Sequence, residues 1–204
     1  PELAADLVRA ARRGVGDAIP VTAKMRTGFK NEITAVDLGR RLQDAGVAAL
    51  TIHGRVREQV FRGAVDHATI AALVEAVSVP VVGNGDVKDG PSYHHMRRET
   101  GCAAVMVGRA ALGNPWVFAE LAAAARGEPA PPPPDASARV AAMRRHFELY
   151  LDDYPEPVAA REIRKHLIWY SKGLRSAVEF RRRLQTVDNA EQVYAAIVDH
   201  QFWL

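Results

Sequence analysis

A single cysteine, Cys102, stands in the 204 residues, so no internal disulfide framework exists and a reducing compartment, the cytoplasm, is the expectation. No apolar run reaches the roughly 20 residues of a membrane span, so no membrane partner is expected. The opening "PELAADLVRAARRG" has the spacing of an amphipathic helix and lacks the apolar core of a signal peptide. "GRAALG" lacks the Gly-Lys-Ser/Thr end of a Walker loop, and no serine nucleophile elbow occurs. His94 and His95 in "SYHHMRR" lack the cysteine or carboxylate set of a metal site, so no metal is expected. Charge of one sign is also scarce. With 27 Lys+Arg against 24 Asp+Glu, the net charge of +3 permits a nucleic-acid partner without demanding one.

What is present is enough apolar material for a real core: 48% hydrophobic and 25% charged residues, which excludes disorder and collagen-like repeats and suits one or two globular domains. Four short apolar runs recur: "IPVTAKM" (19–25), "VAALTIH" (47–53), "VPVVGN" (79–84) and "AAVMVG" (103–108). Lys24, His53, Asn84 and Gly108 lie at their carboxyl ends, 29, 31 and 24 residues apart, about one strand-plus-helix repeat each. Between them, "EITAVDLGRRLQDAG" (32–46) and "DHATIAALVEAVS" (66–78) carry apolar residues three and four apart. Nearly continuous apolar strands predict a parallel sheet with covered faces. An open doubly wound sheet and a (β/α)8 barrel both satisfy this pattern.

The stretch "VVGNGDVKDG" (81–90) ends a β-branched run in small, turn-tolerant residues whose backbone can approach a ligand closely. Barrels place their active sites at the carboxyl ends of the strands and often bind phosphate in the loops after the last two. "GNGD" and "GRAALGNPW" occupy such positions, and Arg109 adds a charge-assisted donor, although a structural ion pair would account for that arginine equally well. Farther on, "RGEPAPPPPDAS" (126–137) predicts an extended, semi-rigid linker. Residues 136–204 read as all-helical. In "AREIRKHLIWYSKGL" (160–174), Ile163, Leu167, Tyr170 and Leu174 should face a core, with Gly173 as the helix cap and Arg161, Arg164, Lys165 and Lys172 pointing elsewhere. Between Val158 and Arg183, eight cations (161, 164, 165, 172, 175, 181, 182 and 183) face two acids, Glu162 and Glu179. Such a cluster is either a solvated helix face or a phosphate-binding surface. His166 and Trp169 could pack internally.

The ordered motifs "PVTAKMRTG" (20–28), "LTIHGRVREQVFRGAVDH" (50–67), "VPVVGNGDV" (79–87) and "TGCAAVMVGRAALGNPWVF" (100–118) resemble the strand-end motifs of the flavin-dependent tRNA-dihydrouridine synthases, and "REIRKHLIWY" resembles the signature of their helical RNA-binding domain. The resemblance implies the second half of a (β/α)8 TIM barrel, about four βα units, over residues 1–126, a linker over 127–137, and a helical tRNA-binding domain over 138–204. It implies FMN as cofactor, its phosphate held by Asn84, Gly85, Asp86, Gly108 and Arg109, with Lys24 and His53 contacting the flavin ring. The implied reaction is reduction of a uracil C5–C6 bond in tRNA, with NADPH as reductant and the target base extracted from its stack. Arg161, Arg164, Lys165 and Lys172 become tRNA contacts. Arg55 also becomes a candidate tRNA contact, although its place near the strand end leaves open whether it faces flavin or RNA.

One departure from the pattern matters. The cysteine proton donor of the family belongs to an Asn-x-Gly-Cys-Pro-like motif upstream of the segment matching Lys24, and no such motif occurs here. Cys102, just before the last strand, reads as a small packed hydrophobe. The expectation is therefore a fragment, inactive alone, with no catalytic residue in this chain. Its open strand edges would need cover from self-association or from the missing half-barrel. Two rival readings are a flavin-dependent barrel oxidoreductase acting on a small molecule and a non-catalytic RNA-binding remnant.

Overall fold

The computed structural model describes residues 1–30, 32–174 and 176–199. Arg175, counted above among the cations, and the last five residues of the predicted final helix lie outside the described residues. Two compact units divide the chain: Pro1–Ala110 with Leu121–Pro129, and Ala111–Glu120 with Ala130–Leu204.

In the first unit, four parallel strands are β1 (Thr22–Arg26), β2 (Ala49–His53), β3 (Val81–Asn84) and β4 (Ala104–Met106), side by side in chain order. Helices α1 (Glu2–Val15), α2 (Ala35–Asp44), α3 (His67–Ala76) and α4 (Gly90–Thr100) alternate with them. Sequential order with a helix at each crossover is the βα repeat that the spacing predicts, and it is the arrangement of half a (β/α)8 barrel. Each strand begins one to three residues inside the apolar run that announced it.

The period of two gives the sheet unequal faces. Leu50 and Val81 sit beside Ala23, while Met25, Ile52, Gly83 and Val105 form the next row. This face is helix-covered, with Leu50 and Ile52 fully buried alongside Ile70 and Leu73. Burying each such side chain contributes about 1.5–3 kcal/mol. The other face carries the row Lys24, Thr51, Val82 and Ala104, followed at the carboxyl end by Arg26, His53, Asn84 and Met106. Lys24 and Ala104 are exposed on it. Local chemistry fixes where helices begin. Asp66 caps α3 through the Thr69 N–H, and Asp89 caps α4 through Ser92, so α4 starts at Gly90, the last residue of "VVGNGDVKDG".

The second unit contains α6 (Ala136–Asp153), α7 (Glu156–Tyr170), α8 (Ala177–Gln185) and α9 (Ala190–Val198), while α5 (Val117–Ala125) crosses the division. Met143, Phe147, Ala159, Ile163, Leu167, Phe180, Leu184, Val193 and Ile197 form its core. Residues 128–135 adopt no helix or strand, and Asp135 caps α6 through the Ala138 N–H. One local expectation is corrected. Helix α7 stops at Tyr170 with Ser171 as its cap, because Ser171 and Lys172 close the turn onto Leu167 and Trp169. Gly173, at φ +85°, therefore lies beyond the cap, and Leu174 packs on the core from outside the helix. No described helix is long and apolar enough to cross a membrane.

Candidate functional site

The carboxyl ends of the four strands gather most of the polar residues singled out in the sequence. Lys24 and Arg26 both project from the less covered face of β1, because they are two residues apart. Among the described residues Lys24 has no ion pair. Its pKa is lowered, first by lost hydration beside the sheet and then by the Arg26 charge. His53, in the same row as Arg26, is buried. Burial, followed by the charges of Arg26, Lys24 and Arg55, pushes its pKa down to about 4, so the imidazole is neutral at pH 7. It can therefore donate one hydrogen bond and accept another. Asn84 is fixed by its own amide, which donates to the Met106 carbonyl across the β3–β4 pair at 2.8 Å.

Past the strand ends, one carboxylate organises the loops. Asp86 accepts from Arg55 Nη1 at 3.1 Å and Nη2 at 2.5 Å, and from Arg109 Nη2 at 2.9 Å. The hydrogen bond from Arg55, reinforced by the charges of both arginines, holds the Asp86 carboxyl below its ordinary range. Gly85 at φ +140° and Asp86 at φ +51° make the sharp turn that aims this carboxylate back at β2. A Cβ on Gly85 would meet Val65 at 2.8 Å, which accounts for glycine there.

Arg55, left open above between flavin and RNA, is enclosed by protein groups. Only 2% of its side chain is exposed, and its remaining donors reach the Arg62 and Gly63 carbonyls. The guanidinium clamps the β2–α3 loop to the turn after β3. Parallel register held the signal that the sequence reading missed: His53 pairs with Asn84, so residues two positions beyond each become neighbours. The Asp86 side chain likewise serves the two arginines, leaving the turn's backbone as the part suited to a phosphate. Arg109, 56% exposed, combines its bond to Asp86 with a position 4.5 Å over the Phe61 ring. Gly108 is exposed, with open space where a Cβ would be.

Arg26 was also overlooked as a site residue, although alternation places it beside Lys24. Its guanidinium donates to the Val56 and Val60 carbonyls at 3.0 and 3.1 Å, pinning the β2–α3 loop from the open face. Cys102 is fully buried, and Gly83 on the helix-covered face lies against its sulfur.

On the helical unit, Arg161, Lys165 and Lys172 are exposed and Arg164 is half-buried. Lys165 pairs with Glu162 at 2.9 Å, and Arg164 donates to the Arg161 carbonyl at 3.1 Å. His166 packs internally: its Nε2 is 2.9 Å from the Tyr150 hydroxyl, and its ring lies 4.6 Å from His146 and 4.9 Å from Trp169.

A four-stranded parallel sheet with cationic and neutral polar groups at its strand ends, followed by a helical unit, defines the class: an α/β protein with the arrangement of a partial (β/α)8 barrel. The dihydrouridine synthase (Dus) family model matches residues 1–202, and the chain belongs to that family. A probable tRNA-dihydrouridine synthase of Mycobacterium leprae is 40% identical over 186 residues, covering 90% of this chain and 48% of that protein. A tRNA-dihydrouridine synthase B of Xanthomonas axonopodis pv. citri is 38% identical over 201 residues, covering 98% of this chain and 60% of that protein. A probable tRNA-dihydrouridine synthase of Rhodobacter capsulatus is 43% identical over 155 residues, covering 76% and 48%. The chain thus spans about half the length of the curated relatives it matches.

Proposed function

We propose that this chain supplies the phosphate side of a flavin site and the RNA-contacting helices of a tRNA-dihydrouridine synthase, which reduces uridine to 5,6-dihydrouridine in tRNA with FMN and NADPH. The observation that carries this reading is the convergence of Lys24, Arg26, His53 and Asn84 on one face at the strand ends, next to Arg109. Those residues fit the cofactor chemically. Arg109 and the open backbone at Gly108 suit a phosphate, with the Asn84–Gly85–Asp86 turn beside them. Lys24 suits the negative charge of a reduced flavin ring, because its cation has no ion-pair partner among the described residues. Neutral His53 offers a hydrogen bond without adding charge. When bound, a flavin supplies the two-electron reduction of the uracil C5–C6 bond.

The residues of this chain bind and orient; none on the open face is a thiol. Cys102 is enclosed on the covered side, so it is not placed to hand a proton to a base at the strand ends. That agrees with a proton donor contributed from elsewhere in the complete enzyme. In the same reading, residues 1–126 act as the flavin-side half-barrel and 138–204 as the tRNA-contacting helices, with Arg161, Arg164, Lys165 and Lys172 as phosphate contacts. The test is the visible spectrum of the purified chain after FMN addition and desalting, paired with tRNA binding. Retained flavin together with tRNA binding supports the proposal. A chain that holds neither overturns it.

A further inference from the structure

The loops leaving β1 and β2 are knitted into one rim at the site mouth. The Arg57 N–H donates to the Gly28 carbonyl at 2.9 Å, and the Glu58 N–H to the Phe29 carbonyl at 3.1 Å. On this rim Phe29, Ile33, Val60 and Phe61 are each at least half exposed. Exposed apolar side chains gathered beside polar strand ends suit an interaction surface.

Its aromatics are paired with cations. The Arg57 guanidinium lies 5.4 Å from the Phe29 ring centre, and the Arg109 guanidinium 4.5 Å from that of Phe61. Phe61 is also 6.4 Å from the His53 ring, so the rim is continuous with the candidate site. The backbone that presents Phe61 is held against its preference: Val60 is β-branched and sits at φ +50°, with its carbonyl gripped by Arg26. Conformations of this kind persist where the surroundings over-determine them, and they cluster at binding sites.

We propose that this rim is a stacking platform for unpaired RNA nucleotides flanking the target uridine, with Phe61 as its principal stacking surface. The proposal rests on the tRNA reading above. Charge selects the occupant. Lys30, Arg57 and Arg62 are exposed around the rim, against Glu32 and Glu58, while Asp86 and Arg109 are paired with each other. An unpaired nucleotide offers a π-face to the phenylalanines and a phosphate to the cations. A second copy of the chain would bring the same cations against themselves. Extraction of a base from its stack also leaves neighbouring bases with unpaired faces, which an aromatic rim can cover.

The test compares the unmodified chain with Phe61→Ala, Phe61→Leu and Phe61→Trp in titrations of a fluorescent single-stranded oligouridylate across a salt series. Both Phe61→Ala and Phe61→Leu should weaken binding by about 5- to 150-fold, and Phe61→Trp should restore it, at an unchanged salt slope because no cation is removed. Leucine keeps the apolar bulk, so its failure to rescue separates stacking from loss of fold. Affinity unchanged in Phe61→Ala, or a Phe61→Trp chain no better than Phe61→Leu, overturns the platform while leaving the tRNA reading intact. An unmodified chain that binds no RNA overturns both. Sedimentation showing a dimer that Phe61→Ala dissociates, with RNA affinity intact, assigns the rim to a second copy and overturns the proposal.

Discussion

Arg55 and Arg109 approach the same carboxylate from environments that give them different work. Arg55 is enclosed, and removing its charge leaves Asp86 with Arg109 as its remaining arginine and the Arg62 and Gly63 carbonyls without their donor. Arg55→Met should therefore destabilise the first unit by about 2–4 kcal/mol, somewhat below the cost of breaking a fully buried pair because Asp86 is half exposed. Arg109 is exposed, so Arg109→Ala should shift stability by no more than about 0.5 kcal/mol. It should nevertheless weaken FMN binding by about 1.5–3 kcal/mol if the guanidinium makes a charge-assisted phosphate contact. Urea unfolding and fluorescence titration with FMN, run on both variants, separate the roles. An Arg109→Ala chain that binds FMN with unchanged affinity removes Arg109 from the phosphate site.

Among the elements, the segment after β4 serves two purposes that its sequence runs together. Gly108 and Arg109 belong with the strand ends, whereas Gly113–Trp116 belongs with the helical unit. At φ +67°, Gly113 meets α7 so closely that a Cβ would lie 2.3 Å from the Trp169 carbonyl carbon and 2.4 Å from the Tyr170 nitrogen. The Trp116 ring then stands edge-on to Tyr170 at 6.3 Å, with Arg139 over it. Gly113→Ala combines a disfavoured φ with overlap against backbone, and should cost about 2–4 kcal/mol in urea unfolding followed by tryptophan fluorescence. An unchanged unfolding midpoint would show that the loop does not need this approach. Helices α6 and α7 share a second contact with a titration signature. The His166 pKa is pushed down to about 4, by burial first and then by His146 and Lys165, and burial lowers that of His146 as well. An unfolded histidine titrates near 6.5, so between pH 6.5 and 4 the unfolded chain binds more protons than the folded one. The contribution of these histidines to stability should fall as the pH drops through that window and level off below it. His166→Gln keeps a polar partner for Tyr150 and removes one titrating group, so its melting temperature should decline less steeply from pH 7 to 4. A profile identical to that of the unmodified chain would refute the assignment.

Across the whole molecule, what the sequence made legible is what depends on near neighbours along the chain. The four strands announce themselves as apolar runs, and their spacing of one βα repeat leaves little choice of sheet. Lys24, His53 and Asn84 stood out because a polar residue closing an apolar run is conspicuous. Less legible were features set by residues far apart: the burial of Arg55 depends on an aspartate 31 positions later, and the packing of Gly113 on Trp169 and Tyr170, more than 50 positions later. The cations of the helical unit lie between these cases. Their number is plain, but half of a cation's effect is its partner, and Lys165 already pairs with Glu162 while Arg164 bonds the Arg161 carbonyl. Exposed pairs of this kind contribute little to stability, so both side chains can be exchanged for phosphate contacts at small cost. If they bind tRNA, replacing Arg164 and Lys165 together by alanine removes two counterion-releasing contacts. The slope of log K against log salt should then fall by about 1.4–1.8, with the melting temperature nearly unchanged. A slope equal to that of the unmodified chain, measured on the same tRNA, would place both residues off the RNA surface and leave the cluster a solvated helix face.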